Sequence, residues 1–380
     1  MRRRHPWIFS GAIHRIEGNP ADGDLVNVQD AWGNLLGIGH YHNGSIAVRL
    51  LSFEAADPTI TAFWQQKLNN ARQVRTWCRL PDAHTNAYRL IHGEGDGLSG
   101  LIIDIYGSTA VVQCHSIGMH RQRAQIAEAL LHVFAGDITC VYDKSAEALP
   151  PKYAAEQQNG VLAGVDQASA VVVENGVKFK IDWVTGQKTG FFLDQRDNRQ
   201  LLREFVPGRS VLNTFCYTGG FSCYAVQAGA ASVQSVDISA KAMELTDENI
   251  ALNAPFTGQH ESITADVMHY LKEIDQKHEV VIVDPPAFAK SLEKRHNAVQ
   301  GYKRLNALAF EKVAPNGIMF TFSCSQVIDR ELFYNTIAAA AIEAKREIRV
   351  LKHLTQGADH PVSMFHPEGA YLKGLVLHVC

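Results

Sequence analysis

Beyond about residue 186 the chain settles into a rhythm that few architectures accept. Strands are expected at 210–214, 232–236, 260–264, 279–283 and 317–322, alternating with stretches long enough for helices. Strands separated in this way are too far apart in sequence for tight hairpins. They pair in parallel, and the intervening helices cover both faces of the sheet. An α/β, doubly wound domain is therefore expected here, with its ligand crevice at the carboxyl ends of the strands.

The first half has a different texture. Runs at 25–28, 35–38 and 46–50 are short, alternating and broken by glycine-containing turns, which predicts a small β-rich module. Asp57-Pro58-Thr59 opens a helical stretch to about Cys78, with apolar residues at Ile60, Phe63, Trp64, Leu68, Ala71 and Val74. From Tyr88 to about Ile181, strands are expected at 88–92, 101–105, 109–114 and 138–142, with a helix near 120–134. Asn175-Gly176 sits at the centre of a hairpin. The polar, alanine-rich stretch 144–168 reads as a loop or hinge, and no repeat of solenoid length is present. The expected domains are 1–56, 57–180 and 181–380.

Composition removes several function classes. No apolar run approaches the roughly 20 residues a membrane span needs, and Arg2-Arg3-Arg4 leads into His-Pro-Trp instead of a signal-peptide core. Cysteines 78, 114, 140, 216, 223, 324 and 380 include no C-x-x-C and no metal-like Cys/His spacing, so free thiols, a cytoplasmic location and no metal are expected. The formal net charge of −3 counts against a simple nucleic-acid binder. A local basic run, Lys290, Lys294, Arg295, Lys303 and Arg304 against Glu293, could still meet phosphates, although a solvated surface loop would look the same.

Two junctions carry the chemistry. Val211-Leu212-Asn213-Thr214-Phe215 ends a strand, and Tyr217-Thr218-Gly219-Gly220 opens a helix at the place where such sheets bind ligands. Asp237 ends the next strand, ahead of Ile238, and is suited to ribose hydroxyls. Asp266 ends the strand after that, ahead of Val267, and is suited to an adenine edge. A nicotinamide enzyme would show G-x-G-x-x-G at the first turn, and this chain has only the Gly219-Gly220 pair. S-adenosylmethionine, which has ribose and base but no phosphate, fits better; an acid at a strand end can also be a plain helix cap. Val280-Val281-Ile282-Val283 then delivers Asp284-Pro285-Pro286-Ala287-Phe288 to the same sheet edge. Proline fixes φ and removes an amide donor, so this is a stiff ledge able to hold a planar base, with Phe288 available to stack.

One strand later, Ser323-Cys324-Ser325 brings a thiol to that edge, whereas Cys114, Cys140 and Cys216 sit in apolar sequence and read as inert. Cytosine C5 is a poor nucleophile. A thiolate adding at C6 makes it an enamine carbon able to take a methyl group, provided the base is flipped or single-stranded. Cys324 is the candidate nucleophile and Asp284 the group that hydrogen-bonds the pyrimidine edge. Pro285, Pro286, Phe288, Lys290, Lys303 and Arg304 are the candidate substrate contacts.

These segments, with Arg3-Arg4-His5-Pro6-Trp7, Leu193-Asp194-Gln195-Arg196, Ala358-Asp359-His360-Pro361 and Glu368-Gly369-Ala370-Tyr371-Leu372-Lys373-Gly374, resemble the large-subunit ribosomal RNA cytosine-C5 methyltransferases. The resemblance implies an N-terminal β-rich PUA domain that helps grip RNA. It further implies a central α+β "EEHEE" domain and a C-terminal Rossmann-like class I methyltransferase domain. Gln195, Arg196, Phe215, Tyr217, Asp237, Asp266 and Asp284 then border S-adenosylmethionine, with Asn213, Gly219, Ile238 and Val267 in the same turns. Ribosomal RNA, or an assembly intermediate containing it, is the implied partner, and a homodimer is allowed. Relatives usually carry a strand-forming segment before Arg-Arg-His-Pro-Trp, so a shortened start is also an expectation. Transfer to an exocyclic nitrogen of guanine or adenine, which needs an Asp-Pro-Pro ledge but no cysteine, is the alternative chemistry. A non-catalytic RNA-binding assembly factor is the alternative class.

Overall fold

The computed structural model describes residues 4–380 apart from Asp166 and Lys290, so Arg3 and the expected phosphate contact Lys290 lie outside the described residues. Two compact units divide the chain. One comprises Met1–Glu174, Ile181–Leu193 and Ala358–Gly369, and the other Asn175–Lys180, Asp194–Gly357 and Ala370–Cys380.

In the first unit, strands β1 (Trp7–Phe9), β2 (Leu25–Gln29), β3 (Leu35–Tyr41) and β4 (Ile46–Ser52) form an antiparallel sheet in the order β1-β4-β3-β2. Helix α1 (Thr61–Trp77) buries Phe63, Trp64, Leu68 and Ala71, four of the six expected apolar positions, while Ile60 just before it and Val74 are exposed. Arg75 on the same face is buried as well. Its guanidinium donates to Asp96 (2.8 Å to Oδ2) and to the carbonyl of Asp359 (2.9 Å), which satisfies a charge that would otherwise be very costly inside a protein.

Strands β5 (Ala87–His92), β6 (Leu101–Tyr106) and β7 (Thr109–Cys114) form a meander. Helices α2 (Ile117–Arg121) and α3 (Arg123–Val133) then cross to β8 (Cys140–Asp143), which runs parallel to β7. The expected single helix near 120–134 is thus two, and the Ser116 side chain caps the first by accepting from Met119 N. The stretch 144–168, read as a loop, instead contains α4 (Pro151–Ala154) and β9 (Gly160–Gly164), the antiparallel edge of the sheet β5-β6-β7-β8-β9. β9 is half-exposed along its length, so its sequence carries little of the alternation that marks a strand packed on a core.

The hairpin of β10 (Ser169–Glu174) and β11 (Val177–Asp182) turns at Asn175-Gly176, both at positive φ (48° and 81°), as a type I′ turn requires. The second unit continues with α5 (Arg196–Leu202), β12 (Ser210–Thr214), α6 (Gly220–Gln227), β13 (Ser232–Asp237), α7 (Ala240–Leu252), β14 (Gln259–Thr264), α8 (Val267–Glu273) and β15 (His278–Val283). It ends with α9 (Arg295–Lys312), β16 (Val313–Ser323), α10 (Arg330–Glu343), β17 (Ile348–Leu354) and β18 (Lys373–Val379). The sheet order is β14-β13-β12-β15-β16-β18-β17. Its first five strands are parallel, and β18 lies antiparallel between β16 and β17. Order reverses between β12 and β15, so the crevice falls at their carboxyl ends. The buried positions of α9 (Ala298, Tyr302, Leu305, Ala309, Phe310) recur at helical spacing and join a core of Leu212, Val281, Met319, Phe333 and Leu377. Each large side chain there contributes about 1.5–3 kcal/mol by leaving water.

Candidate functional site

The turn after β12 is shaped before any ligand is considered. Phe215 and Tyr217 both have positive φ (55° and 49°), and Gly219, at φ 78°, is the residue on which α6 starts. A Cβ on Gly219 would lie 2.7 Å from Thr246 Cγ2, so glycine is required by space as well as by φ. Helix α7 holds this turn from below: Thr246 Oγ1 donates to Tyr217 O (3.0 Å) and Asn249 Nδ2 to Thr218 O (2.9 Å). Asp237 accepts from Tyr217 N (2.9 Å) and Ser239 N (3.0 Å), which ties the ends of β12 and β13 together and leaves further lone pairs for a hydroxyl donor. Ile238 beside it is 70% exposed, an apolar surface suited to the face of an adenine. Asp266 caps α8 by accepting from His269 N (2.9 Å) and stays exposed, while Val267 is buried.

Two buried polar atoms in this region have no hydrogen-bond partner, Asn213 Oδ1 and Thr218 Oγ1. Asn213 Nδ2 donates to Ser222 Oγ (2.9 Å), which fixes the amide and presents Oδ1 as an acceptor that lacks a donor. An unpaired buried acceptor is costly, and the ammonium and hydroxyl groups of S-adenosylmethionine are donors of the right kind. The residues present therefore fit that molecule.

Beside this turn stands a second, carboxylate-rich cluster. Gln195 Nε2 donates to Asp284 Oδ2 (3.0 Å), and Asn198 Nδ2 orients Gln195 by donating to its Oε1 (2.6 Å). Tyr371 donates its hydroxyl proton to Asp194 Oδ2 (2.7 Å), while Asp194 Oδ1 is buried without a partner. Burial first, then the Asp194 charge, pushes the Asp284 carboxyl up to about 7. Arg196 is buried and lies 3.4 Å from the Asp197 carboxylate.

Cys324 is half-buried at the end of β16. Its turn is bonded to the ledge that follows β15, because Ser325 Oγ donates to Ala289 O (2.7 Å). It is also anchored from β18, where the Lys373 ammonium donates to Ser325 O (2.6 Å) and Ile328 O (2.7 Å). Burial, then the charges of Asp284 and Asp194, push the Cys324 thiol up to about 11 against the opposing pull of Lys373. The ammonium of Lys373 is itself brought down to about 8 by burial. Cys114 and Cys216 are buried and their thiols are pushed up; Cys140 is buried too.

Along the ledge Pro285 is buried and Pro286 exposed. Phe288, expected to be a free stacking platform, has its ring on Tyr302 (centroids 4.6 Å apart) and against Gly301 of α9. Lys303 pairs with Glu343 (2.8 Å) and Arg304 is exposed. Asp194, Tyr302 and Lys373 were not singled out for roles from sequence. Lys373 and Asp194 fall in the Tyr-Leu-Lys-Gly and Leu-Asp-Gln-Arg segments, whose family-like wording was the available signal. Tyr302, whose hydroxyl is buried, had none.

Among the described residues no helix is long and apolar enough to cross a membrane. The family model for S-adenosylmethionine-dependent methyltransferases matches residues 143–361, and that for PUA-like domains matches residues 1–53. The chain is 39% identical over 99% of its length to the ribosomal RNA large subunit methyltransferase I of Aeromonas hydrophila subsp. hydrophila, covering 96% of that protein. It is 41% identical over 100% of its length to that of Photobacterium profundum, again covering 96%. A solved protein structure from Streptococcus mutans superposes with a TM-score of 0.83 over 99% of this chain and 96% of its own, at 22% identity, and so shares the fold. The chain belongs to the S-adenosylmethionine-dependent methyltransferases, within the family of the ribosomal RNA large subunit methyltransferases I, and carries an N-terminal PUA-like domain.

Proposed function

We propose that the protein methylates C5 of a cytosine in large-subunit ribosomal RNA, with Cys324 as covalent nucleophile and Asp284 as the group on the pyrimidine edge. The observation that carries this reading is the bonded pair of loops at the ends of β15 and β16, which holds Asp284 and Cys324 on one rim. The ribosomal substrate rests on the names of the curated relatives. It implies a cytoplasmic site of action, with the PUA-like domain as a second hold on the RNA.

When bound, S-adenosylmethionine supplies an electrophilic methyl group. Asp237 would accept from its ribose hydroxyls, the exposed Ile238 would cover the adenine, Asp266 would meet the base edge, and Asn213 Oδ1 would accept from a donor of the amino-acid portion. Gln195 and Arg196 would border it as well. A carboxyl with a pKa near 7 is partly protonated at neutral pH, so Asp284 can donate to N3 of cytosine. Protonated, it also no longer opposes ionisation of Cys324. The thiolate, its proton lost to water, adds at C6, and the C5–C6 π pair moves onto C5, which would take the methyl group with release of S-adenosylhomocysteine. Water takes the C5 proton, the C5–H pair re-forms the C5–C6 double bond, and the thiolate leaves. Pro286 and Arg304 are exposed and so open to a substrate; Lys303 must first leave Glu343 to meet a phosphate.

The raised thiol favours one rival, transfer to an exocyclic amine oriented by Asp284 and the prolines alone. RNA containing 5-fluorocytosine separates the two. A C5 enzyme stays attached to it through denaturing electrophoresis, and Cys324→Ala abolishes both attachment and 5-methylcytidine in digested RNA. Normal methylation by Cys324→Ala would sink the C5 reading.

A further inference from the structure

His5 precedes β1, His366 and Glu368 lie near the other end of the chain, and all three belong to the first unit. Nε2 of His5 and Nε2 of His366 each stand 3.9 Å from Glu368 Oε2, and the three candidate ligand atoms lie within 4.8 Å of one another. That spacing is too wide for hydrogen bonds. It is close to what a cation needs: a tetrahedral ion with bonds of about 2.0–2.1 Å holds its ligand atoms about 3.4 Å apart. The Glu368 side chain is 57% exposed and can close the gap by rotation.

A second observation is independent of the spacing. His366 is only 4% exposed, and neither ring nitrogen has a hydrogen-bond partner. A buried imidazole with both nitrogens unpaired is costly, and such a group calls for a partner. Its ring is held edge-on by Trp7 (centroids 4.4 Å apart) and by His5 (5.4 Å), so it is positioned although unpaired. His5 Nδ1 accepts from Trp7 N (3.0 Å) and also lies 3.3 Å from Trp7 O. An ion at Nε2 requires the other tautomer, in which Nδ1 carries the proton and donates to Trp7 O, the arrangement by which outer partners orient metal-bound histidines.

We propose that His5, His366 and Glu368 bind one divalent transition-metal ion of the zinc type, which pins the segment before β1 to the 366–368 turn. Two imidazoles with one carboxylate disfavour magnesium and calcium, which take oxygen donors. The fourth position is left to water. None of the three residues belongs to the proposed methyl-transfer chemistry.

Cobalt(II), a spectroscopic stand-in for zinc, tests this on the full chain after treatment with chelator. One tight equivalent should bind with visible d–d absorption, raise the thermal midpoint and be displaced by zinc. His366→Phe keeps the ring volume, and Glu368→Gln alters an exposed group; each should weaken binding at least tenfold with unchanged far-ultraviolet dichroism. His269→Ala removes an exposed His269–Glu273 pair (3.0 Å), the competing surface site, and should change nothing. Absence of a tight equivalent, its persistence in both variants at the first site, or its loss in His269→Ala overturns the proposal. Should His366→Phe misfold, the Glu368→Gln result decides.

Discussion

Two ionisable groups on one rim set opposing demands at the level of single residues. The Cys324 thiol, pushed up to about 11, is ionised to only roughly one part in ten thousand at pH 7 without substrate. Alkylation of Cys324 by iodoacetamide, mapped by mass spectrometry, should therefore be slow at pH 7 and accelerate steadily to pH 10. Asp284→Asn removes the largest charge opposing the thiolate, so alkylation at pH 8 should become several-fold faster. A rate unchanged by that substitution would break the coupling inferred here. Stability gives a second check. The Asp284 carboxyl is raised in the folded state from 3.8 to about 7, so folding favours its protonated form. The destabilisation by ionised Asp284 is absent below about pH 4, develops between pH 4 and 7, and is complete above. Asp284→Asn should melt several degrees above the parent at pH 8 and with it at pH 4, as calorimetry would show.

At the scale of elements, the cofactor turn and the caps beneath it do two jobs that substitution can separate. Asp266 caps α8, and Asp266→Ala should cost about 1 kcal/mol in urea unfolding as well as weaken S-adenosylmethionine. Asp266→Ser keeps a capping oxygen, so stability should return while cofactor affinity, read by calorimetry, stays low. Gly219→Ala places a methyl group at φ 78° against Thr246 and should cost about 1–2 kcal/mol from the backbone alone. The parallel strands were legible from their regular alternation with helices; β12, β15 and β16 are also largely buried apolar runs, whereas the edge strand β14 is polar and no residue of it is buried. β9 was not legible, since an exposed edge strand need not alternate, and β17 is likewise exposed along most of its length.

The whole molecule returns to its first unit at 358–369 after building most of the second. Arg75 of α1 binds that returning segment through the Asp359 carbonyl and also holds Asp96. Arg75→Met strands a buried carboxylate and should cost about 3–5 kcal/mol. Proteolysis should then cut the first unit sooner than in the parent, and equal resistance would refute the role given to this contact.

The alternation of strands and helices, the hairpin at Asn175-Gly176 and the placing of Asp237, Asp266, Asp284 and Cys324 at strand ends were determined by sequence alone. Each depends on local periodicity or on a junction between neighbouring elements. Pairings across long loops are invisible to such patterns. Only the tertiary structure decided that Phe288 packs on Tyr302, that Lys373 anchors the Cys324 turn from β18, and that Asp194 shares the field of Asp284. The same holds for His5 beside His366, residues at opposite ends of the chain whose spacing in sequence signals no metal. Charge and hydrogen bonding act through space, and distance in space between residues far apart in sequence is set by packing.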